Sequence, residues 1–444
     1  MLTSFHLQNF KSFQRDAVLP LGSLTVLIGA NAAGKSNALE GLRLLSWLAQ
    51  GNKLSAIQYA VNQADKVVRG RVPDLFNRGA SRFLLGCAMH TDSDDNTLTL
   101  ELEWRADELH IVAERMVTGT GVALYQMSQP ATGNSTDAVV AYNNYDRGGN
   151  KPQIPVSDQM AVFAQLDSPA SFHAKHKQAQ QHIPKVCRHY QEVLSNVLFL
   201  DPVPAKMRDF SFLADKRLGG DGANLSSVLF RLWHGNGAAS DTASGHQAIL
   251  AFIQSLPEQD IQGLSFLQGP RHDVMVQLVE SFGGVHREYE AALLSDGTLR
   301  VLAIAAAMLS APVGSMVVIE EIDNGVHPSR ARHLLECIQA VAERRQLRVL
   351  LSTHNPAMLD ALPDNAVPDV VFCYRDPVQG DSRLVRLGNL PDAPELLVQD
   401  TLGHLMTTGA LERFVKTHQG PQARKEKARA WLAALQATGH GAPQ

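Results

Sequence analysis

The residues of this chain best suited to chemistry form a glycine-rich loop, residues 29–36, with the sequence GANAAGKS. The loop fits the pattern GxxxxGK[ST], in which backbone N–H groups wrap phosphates, the lysine reaches the terminal phosphates and the hydroxyl binds Mg²⁺. We therefore expect Lys35 to contact the β- and γ-phosphates and Ser36 to be a Mg²⁺ ligand. The predicted phosphate-binding residues of the loop are Gly29, Ala30, Asn31, Ala32, Ala33, Gly34, Lys35 and Ser36.

Two adjacent carboxylates, Glu320 and Glu321, follow the apolar run MVVI at residues 316–319. Acids at the carboxyl end of a strand in an α/β sheet point into the ligand crevice. We expect Glu320 to bind Mg²⁺ through water and Glu321 to orient and deprotonate an attacking water. The simpler alternative for both is a solvated strand end.

A histidine, His354, ends another apolar strand candidate, in the stretch LLSTHN at residues 350–355. At the end of a third parallel-type strand, its imidazole is well placed to contact a γ-phosphate. A lone histidine is also often purely structural. We predict the phosphate contact and treat His354 as a third candidate for the chemistry, with Lys35 and Glu321.

A polar turn, Ser295-Asp296-Gly297-Thr298, opens the apolar segment LRVLAIAAAML at residues 299–309. The segment predicts a core helix, and the first turn of a helix presents backbone N–H groups that have no partner within the helix. Such N-termini attract anions, phosphate above all. We therefore expect these four residues to receive a phosphate.

The elements that must position these groups are indicated by the spacing of apolar residues. Apolar runs within residues 24–28, 316–319 and 347–352 are typical of strands buried on both faces. Leucines at helical spacing predict a helix at residues 37–50, and alternation predicts antiparallel strands over residues 83–127. The predicted fold class is α/β, with a mixed sheet and an antiparallel lobe.

The remaining sequence is less regular. Polar residues 128–153 predict a mobile loop. Further predicted elements are helices at residues 171–194 (kinked at Pro184), 225–233 and 247–256, strands at 264–267, 273–280 and 286–293, and a basic helix at 424–437. We expect a discontinuous head of residues 1–127 and 290–390, a mainly helical insertion or lid of residues 128–289, and a C-terminal tail of residues 391–444.

Composition narrows the class of protein. The 444 residues are 45% hydrophobic and 19% charged, as in a folded soluble protein, and the net charge of −4 excludes a globally basic nucleic-acid binder. The longest apolar run, residues 301–309, is too short to span a membrane. The four cysteines are scattered, which disfavours zinc or disulfide frameworks and favours a reducing compartment: Cys87, Cys187, Cys337 and Cys373. We therefore expect a cytoplasmic protein with no membrane partner.

Taken in order, the motifs resemble a known family. The loop with its inner Asn31, then LSDGT, EEIDNGVHP and STHNP, is similar to the ABC-type ATPase head of the SMC, RecF and OLD proteins. The opening LQNFKSF and Asn37 resemble the RecF/OLD branch. The resemblance implies ATP and Mg²⁺ as cofactors, ATP hydrolysis as the activity, and Asn37 as a further nucleotide-binding residue.

The resemblance also implies an assembly. ABC-type heads form a homodimer, or a higher homo-oligomer, in which ATP lies between the phosphate-binding loop of one subunit and the signature of another. Here the signature is residues 295–298, with Asp296 in place of a Gly and Thr298 in place of the Gln. Asp323, Asn324 and His327 fall on the D-loop, which crosses the dimer interface.

Several family features are missing or unmarked. Neither a TOPRIM nuclease domain nor a long coiled-coil arm is evident, so we expect no nuclease in this chain. Neither Gln126 nor Gln165 can be assigned to the Q-loop. Arg78 either lies beside the nucleotide, as the family's Arg-Gly does, or is a surface residue.

Other polar clusters could simply be exposed to solvent, and the sequence alone does not show a binding role for them. Lys206 and Arg208 could touch phosphate, but a solvated face is the simpler interpretation. A solvated helix face is favoured over a metal site for the histidines His173, His176, His182 and His189. The basic cluster either binds nucleic acid or a partner or is a plain exposed face: Arg424, Lys425, Lys427 and Arg429.

The function predicted from the resemblance is a Mg²⁺-dependent ATP hydrolase that acts as an ATP-gated conformational or dimerisation switch. Its setting would be DNA maintenance or anti-phage defence, with DNA or an effector protein as partner. The alternative is a scaffold that sequesters a toxin or nuclease and releases it upon hydrolysis. The ATP subunit of a membrane transporter is a third, less favoured class.

Overall fold

A computed structural model describes residues 1–57, 67–91, 95–146, 148–235, 239–253 and 261–417. The basic helix predicted at residues 424–437 lies outside the described residues. The strands are β1 Leu2–Gln8, β2 Ala17–Pro20, β3 Leu24–Ile28, β4 Arg82–His90, β5 Asp95–Arg105, β6 Glu108–Thr118, β7 Ala123–Gln129, β8 Asp137–Tyr142, β9 Gln153–Ser157, β10 Leu198–Leu200, β11 Ser211–Phe212, β12 Ile261–Gln268, β13 Asp273–Phe282, β14 Val285–Glu290, β15 Met316–Ile319, β16 Arg348–Ser352, β17 Val370–Arg375 and β18 Ser382–Arg386.

The α-helices of the described residues lie mostly in the second half of the chain. They are α1 Lys35–Ala49, α2 Val162–Gln165, α3 Lys177–Ser195, α4 Pro204–Met207, α5 Leu225–His234, α6 Ala239–Ile253, α7 Asp296–Ser310, α8 Ala331–Arg344, α9 Pro356–Asp360, α10 Ala393–Gln399, α11 Leu402–Thr407 and α12 Ala410–Thr417.

The centre of the fold is a six-stranded sheet in the order β10-β15-β16-β3-β17-β18. All neighbours are parallel except β17 and β18, which are antiparallel. The α/β prediction with a mixed sheet is confirmed. Because β3, β15 and β16 run in the same direction, the segments that follow them meet at one edge of the sheet.

Both faces of this sheet are buried, which explains why its strands read as continuous apolar runs. One face packs against α1 and the other against α7 and α8. The first core contains Leu27, Met316, Val318, Leu350 and Val371 together with Leu39, Leu42 and Leu45 of α1. The second contains Val26, Val317, Ile319, Val349 and Leu351 together with Leu299 and Leu302 of α7 and Leu334 and Ile338 of α8.

An eight-stranded antiparallel sheet, in the order β2-β1-β4-β5-β6-β7-β8-β9, covers the first core. The prediction of a mobile loop at residues 128–153 is wrong, since β8 lies within it and β9 begins at its end. The reason is that the apolar run 138–142 is short and lies between two polar stretches, yet its Ala138, Val140 and Tyr142 are buried in the core. The expected head boundary at residue 127 falls inside β7.

The region between β9 and α7 combines helices with a small antiparallel sheet. Here β13 pairs with β12 on one side and with β11 and β14 on the other. The predicted helix at residues 171–194 is α3, which begins at Lys177 because residues 169–171 form a 3-10 turn, and it contains Pro184. The strands predicted between residues 264 and 293 are present, but β14 ends at Glu290.

Candidate active site

The phosphate-binding loop joins β3 to α1, the context that the motif requires. Gly29 has φ of 145° and Gly34 has φ of 118°, values that L side chains rarely adopt. A Cβ on Gly29 would lie 2.1 Å from the Cys373 carbonyl oxygen, and one on Gly34 would lie 2.3 Å from Ser382 Oγ. Both glycines are therefore required by the strands β17 and β18 behind the loop as well as by backbone geometry.

Hydrogen bonds fix the back of the loop. Ser382 Oγ donates to the Ala33 carbonyl at 2.5 Å and lies 2.8 Å from Ser12 Oγ. Ser12 Oγ accepts a hydrogen bond from Asn37 Nδ2 at 2.8 Å. Asn37, expected to bind nucleotide, thus uses its amide to tie the first turn of α1 to the segment that opens the chain.

Lys35 folds back over the loop. Its Nζ donates to the carbonyl oxygens of Gly29 at 2.7 Å and Ala30 at 3.2 Å. Burial lowers the pKa of Lys35, and the nearby carboxylates of Glu321 and Asp323 oppose that shift. The ammonium group therefore lies close to the acids that follow β15, as a phosphate-contacting lysine should.

Ser36 and Glu320, the two predicted Mg²⁺ ligands, line the same cavity of about 800 Å³. Burial raises the pKa of Glu320, and the charge of Arg43 counteracts this. Arg43 donates to Glu320 Oε1 at 2.7 Å. A hydroxyl and a carboxylate are hard oxygen donors that suit Mg²⁺, which typically takes few protein ligands and completes its shell with water and phosphate. These residues fit the ion that the fold implies.

Sequence reasoning missed Arg43. Its signal was present, because Ser36, Glu40 and Arg43 are polar at helical spacing within an otherwise leucine-rich helix. The Arg43 guanidinium also lies over the Phe199 ring of β10, 4.9 Å from the ring centroid. The arginine thus joins α1 to the edge of the sheet where Glu320 lies.

Glu321 has an unusual backbone. Its φ is 48°, a left-handed conformation that costs a non-glycine residue about 1–2 kcal/mol. Its N–H donates to Ser352 Oγ at 3.0 Å, and Asn324 Nδ2 donates to Glu321 Oε2 at 2.8 Å. The tight turn after β15 therefore holds an exposed carboxylate in one orientation.

His354 lies beside the same turn. Thr353 Oγ1 donates to Asp323 Oδ1 at 2.6 Å, and His354 Nδ1 lies 3.8 Å from Asp323 Oδ2. The Asp323 side chain is 6% exposed and that of His354 is 48% exposed. A buried carboxylate thus lies beside a histidine that is half exposed. The structure brings Lys35, Glu321 and His354 to one edge of the central sheet.

The signature turn caps α7. Ser295 Oγ accepts a hydrogen bond from the Thr298 N–H at 3.1 Å, so one of the N–H groups expected to be free for phosphate is occupied. Gly297 packs directly on the D-loop, since a Cβ added there would lie 2.3 Å from the Gly325 carbonyl oxygen. The signature and the segment that carries Glu321 are therefore in backbone contact.

Arg208 contacts the signature turn, and its side chain is 30% exposed. Its guanidinium donates to the Leu294 carbonyl at 2.9 Å and to Asp296 Oδ1 at 2.7 Å. Sequence reasoning could not place it, because 88 residues separate Arg208 from Asp296. Lys206 instead pairs with Asp221 at 2.8 Å.

Of the other residues singled out in the sequence, some lie near the phosphate-binding loop and others have structural roles. Arg78 lines a cavity of about 770 Å³ together with Lys11, Asn37 and Arg375, beside the first turn of α1. Gln165 is structural, since its amide donates to two backbone carbonyls in the turn after β9. In the described part of the chain, no group of three or more His, Cys, Asp or Glu side chains could hold a metal ion, and this includes the predicted histidine face.

Two protein-family models match the chain. One, described as "AAA ATPase domain", matches residues 1–183, and one described as "AAA domain, putative AbiEii toxin, Type IV TA system" matches residues 161–360. A curated relative from Helicobacter pylori (strain ATCC 700392 / 26695), an ATP/GTP phosphatase, is 23% identical over 384 residues. That match covers 84% of this chain and 90% of the relative.

Solved SMC head domains are also similar. A head with an extended coiled coil from Pyrococcus furiosus, bound to the C-terminal domain of ScpA, is 12% identical with a TM-score of 0.47, over 90% of this chain and 98% of that one. A head bound to the C-winged helix domain of ScpA is 13% identical with a TM-score of 0.46, over 86% and 97%. Among the described helices, none is long and apolar enough to cross a membrane.

Proposed function

Because the chain is an ATPase with an ABC-type head, we propose that ATP closes two copies of it into a dimer and that hydrolysis releases them. We also propose that the chain belongs to the RecF/OLD branch of such heads. Each nucleotide would lie between the phosphate-binding loop of one copy and residues 295–298 of the other.

The observation that carries this proposal is the placement of α1 and α7 on opposite faces of the central sheet. The two helix N-termini suited to phosphate therefore belong to different layers of the head. In a symmetric pair, each layer can meet the complementary layer of the partner, which gives two composite sites.

A second contact supports the switch. Gly297 touches Gly325, four residues after Glu321, and Asn324 between them holds the Glu321 carboxylate. A phosphate that moves the signature would therefore move the turn that aims the base. We propose that closure and hydrolysis are coupled through this turn.

In the proposed mechanism, some residues bind ATP and Mg²⁺ and others act in hydrolysis. Lys35 and the loop N–H groups hold the phosphates in the ground state, and Ser36 and Glu320 hold Mg²⁺. Mg²⁺, when bound, supplies positive charge against the phosphate oxygens. Glu321 accepts the proton of the attacking water, and His354, oriented by Asp323, donates to a γ-phosphate oxygen.

The wider role that we propose is DNA maintenance or anti-phage defence, with DNA or an effector protein as the regulated partner. The alternative is a scaffold that holds a toxin or nuclease and releases it when ATP is hydrolysed. Its support is the family description over residues 161–360, which names a toxin–antitoxin system. Purification of the native protein, followed by mass spectrometry and nucleic-acid sequencing, separates a DNA partner from a protein effector.

The dimer is tested with Glu321→Gln, which should retain Mg·ATP. Light scattering after size exclusion should give the mass of a dimer with ATP and of a monomer without it, whereas Lys35→Ala/Glu321→Gln should stay monomeric. A monomer in every condition, with ATP binding intact by calorimetry, would refute the proposed switch.

A further inference from the structure

The signature of this chain carries an acid where phosphate is expected. Asp296 is the first residue of α7, and its side chain is 67% exposed. An aspartate there suits the helix dipole but would repel a phosphate approaching the same N–H groups. Something must offset that charge if the signature is to serve ATP.

Arg208 meets that need. One nitrogen of its guanidinium lies 2.7 Å from Asp296 Oδ1 and 2.9 Å from the Leu294 carbonyl oxygen, so the arginine is anchored to both sides of Ser295. Its side chain is 30% exposed, so the pair lies at the surface that an incoming phosphate would reach.

Arg208 lies in the region between β9 and α7 and reaches the signature from there. Arg208 follows α4, and the segment before α4 is held by two backbone bonds, Asp201 N–H to the Gly220 carbonyl at 2.8 Å and Val203 N–H to the Asp221 carbonyl at 2.9 Å. The strand before it, β10, pairs with β15 beside Glu320. The guanidinium is therefore delivered to the signature from a fixed frame.

We propose that Arg208 is a positioning residue: it neutralises Asp296 and so allows the N-terminus of α7 to accept the γ-phosphate held by a second copy of the chain. The inference rests on the proposed dimerisation by ATP. It predicts that the net charge of the Arg208–Asp296 pair sets the affinity of the ATP-bound dimer.

The test is a charge series in the Glu321→Gln background, with dimer dissociation constants measured by analytical ultracentrifugation in Mg·ATP. Arg208→Gln should weaken the dimer by about tenfold, the scale of coupling between contacting residues. Arg208→Lys, which keeps the charge, should stay near the parent. Asp296→Asn should tighten the dimer, and Arg208→Gln/Asp296→Asn should return it to the parent value.

Salt provides a readout that a purely structural role would not move. High salt should shrink the gap between Arg208→Gln and the parent, because an exposed charge is screened. Thermal melting checks that each variant folds.

Three results would overturn the inference. A double variant as weak as Arg208→Gln would mean that the arginine touches phosphate itself. An Arg208→Gln variant equal to the parent would mean that Asp296 does not meet phosphate. If the parent fails to dimerise, the proposed function and the inference are both wrong. If the parent dimerises but the variants do not show the expected changes in affinity, only the inference is wrong.

Discussion

At the scale of single residues, the charged groups of the site are held in three different ways. Lys35 lies on loop carbonyls and Glu320 is half-buried against Arg43, whereas Glu321 is exposed on a strained turn. These differences separate the binding of ATP from its turnover. Substitutions at each position should therefore fail at different steps.

Lys35→Ala and Glu321→Gln should separate ATP binding from turnover. Lys35→Ala should weaken ATP binding, because we propose that the ammonium contacts the ground-state phosphates. Glu321→Gln should bind ATP as the wild type does but lose on the order of 10²–10⁴ in turnover, the usual cost of removing a general base. Nucleotide titration and phosphate release decide between them, and unimpaired turnover in Glu321→Gln would remove the role given to Glu321.

Arg43 gives a prediction about the metal. Its guanidinium pairs with the Glu320 carboxylate, for which Mg²⁺ would have to compete if Glu320 holds the ion as we propose. Arg43→Met should therefore lower the Mg²⁺ concentration needed for half-maximal binding of a fluorescent ATP analogue, and the charge-preserving control Arg43→Lys should lower it less. A higher Mg²⁺ requirement in Arg43→Met would instead show that the arginine serves the nucleotide directly.

At the scale of elements, the sequence predicts those strands and helices that a local pattern of apolar residues marks. The strands β3, β15 and β16 were predicted because burial on both faces leaves an apolar run. In contrast, β8 was missed, since its short apolar run, residues 138–142, lies between two longer polar stretches. The ties of Gly297 to Gly325 and of Arg208 to Asp296 join distant segments, and only the folded chain brings them together.

Glu114 of β6 links the antiparallel sheet to α2 and gives a prediction for stability. Its buried carboxylate accepts from Tyr125 Oη at 2.7 Å, the Val162 N–H at 2.6 Å and the Phe163 N–H at 2.8 Å. Burial raises the pKa of Glu114 to about 7, from 4.5. Between these values the folded state binds more protons than the unfolded state, so the free energy of unfolding should fall as pH rises.

Replacing the acid should remove that contribution. The slope of unfolding free energy between pH 4.5 and 7 should be less negative in Glu114→Gln than in the wild type, by up to about 1.4 kcal/mol per pH unit. Denaturant unfolding across this window measures both slopes. Parallel curves for the two proteins would show that Glu114 does not titrate there.

At the scale of the whole molecule, the central sheet separates two layers. One core joins α1 and the antiparallel sheet to its first face, and the other joins α7 and α8 to its second. The turn from Glu321 to Gly325 runs from the phosphate edge to the signature. This arrangement suits a head that is completed by another copy of itself.

The central claim is that each ATP is hydrolysed in a site built from two copies. Gly297 is unsuitable for testing it, because a side chain there would strike Gly325 in the same chain. Ser295→Asp is better, since aspartate also caps helices and adds charge where phosphate should lie, and Ser295→Asn is its neutral control. Lys35→Ala and Ser295→Asp should each be inactive on their own.

The most direct measurement is phosphate release from a mixture of Lys35→Ala and Ser295→Asp. Each mixed dimer carries both defects in one site and leaves the other wild type, so random pairing should restore up to about a quarter of wild-type activity. Native mass spectrometry with ATP confirms that mixed dimers form. If mixed dimers form but the mixture stays as inactive as the separate variants, the signature does not act on the partner's nucleotide and the account is contradicted.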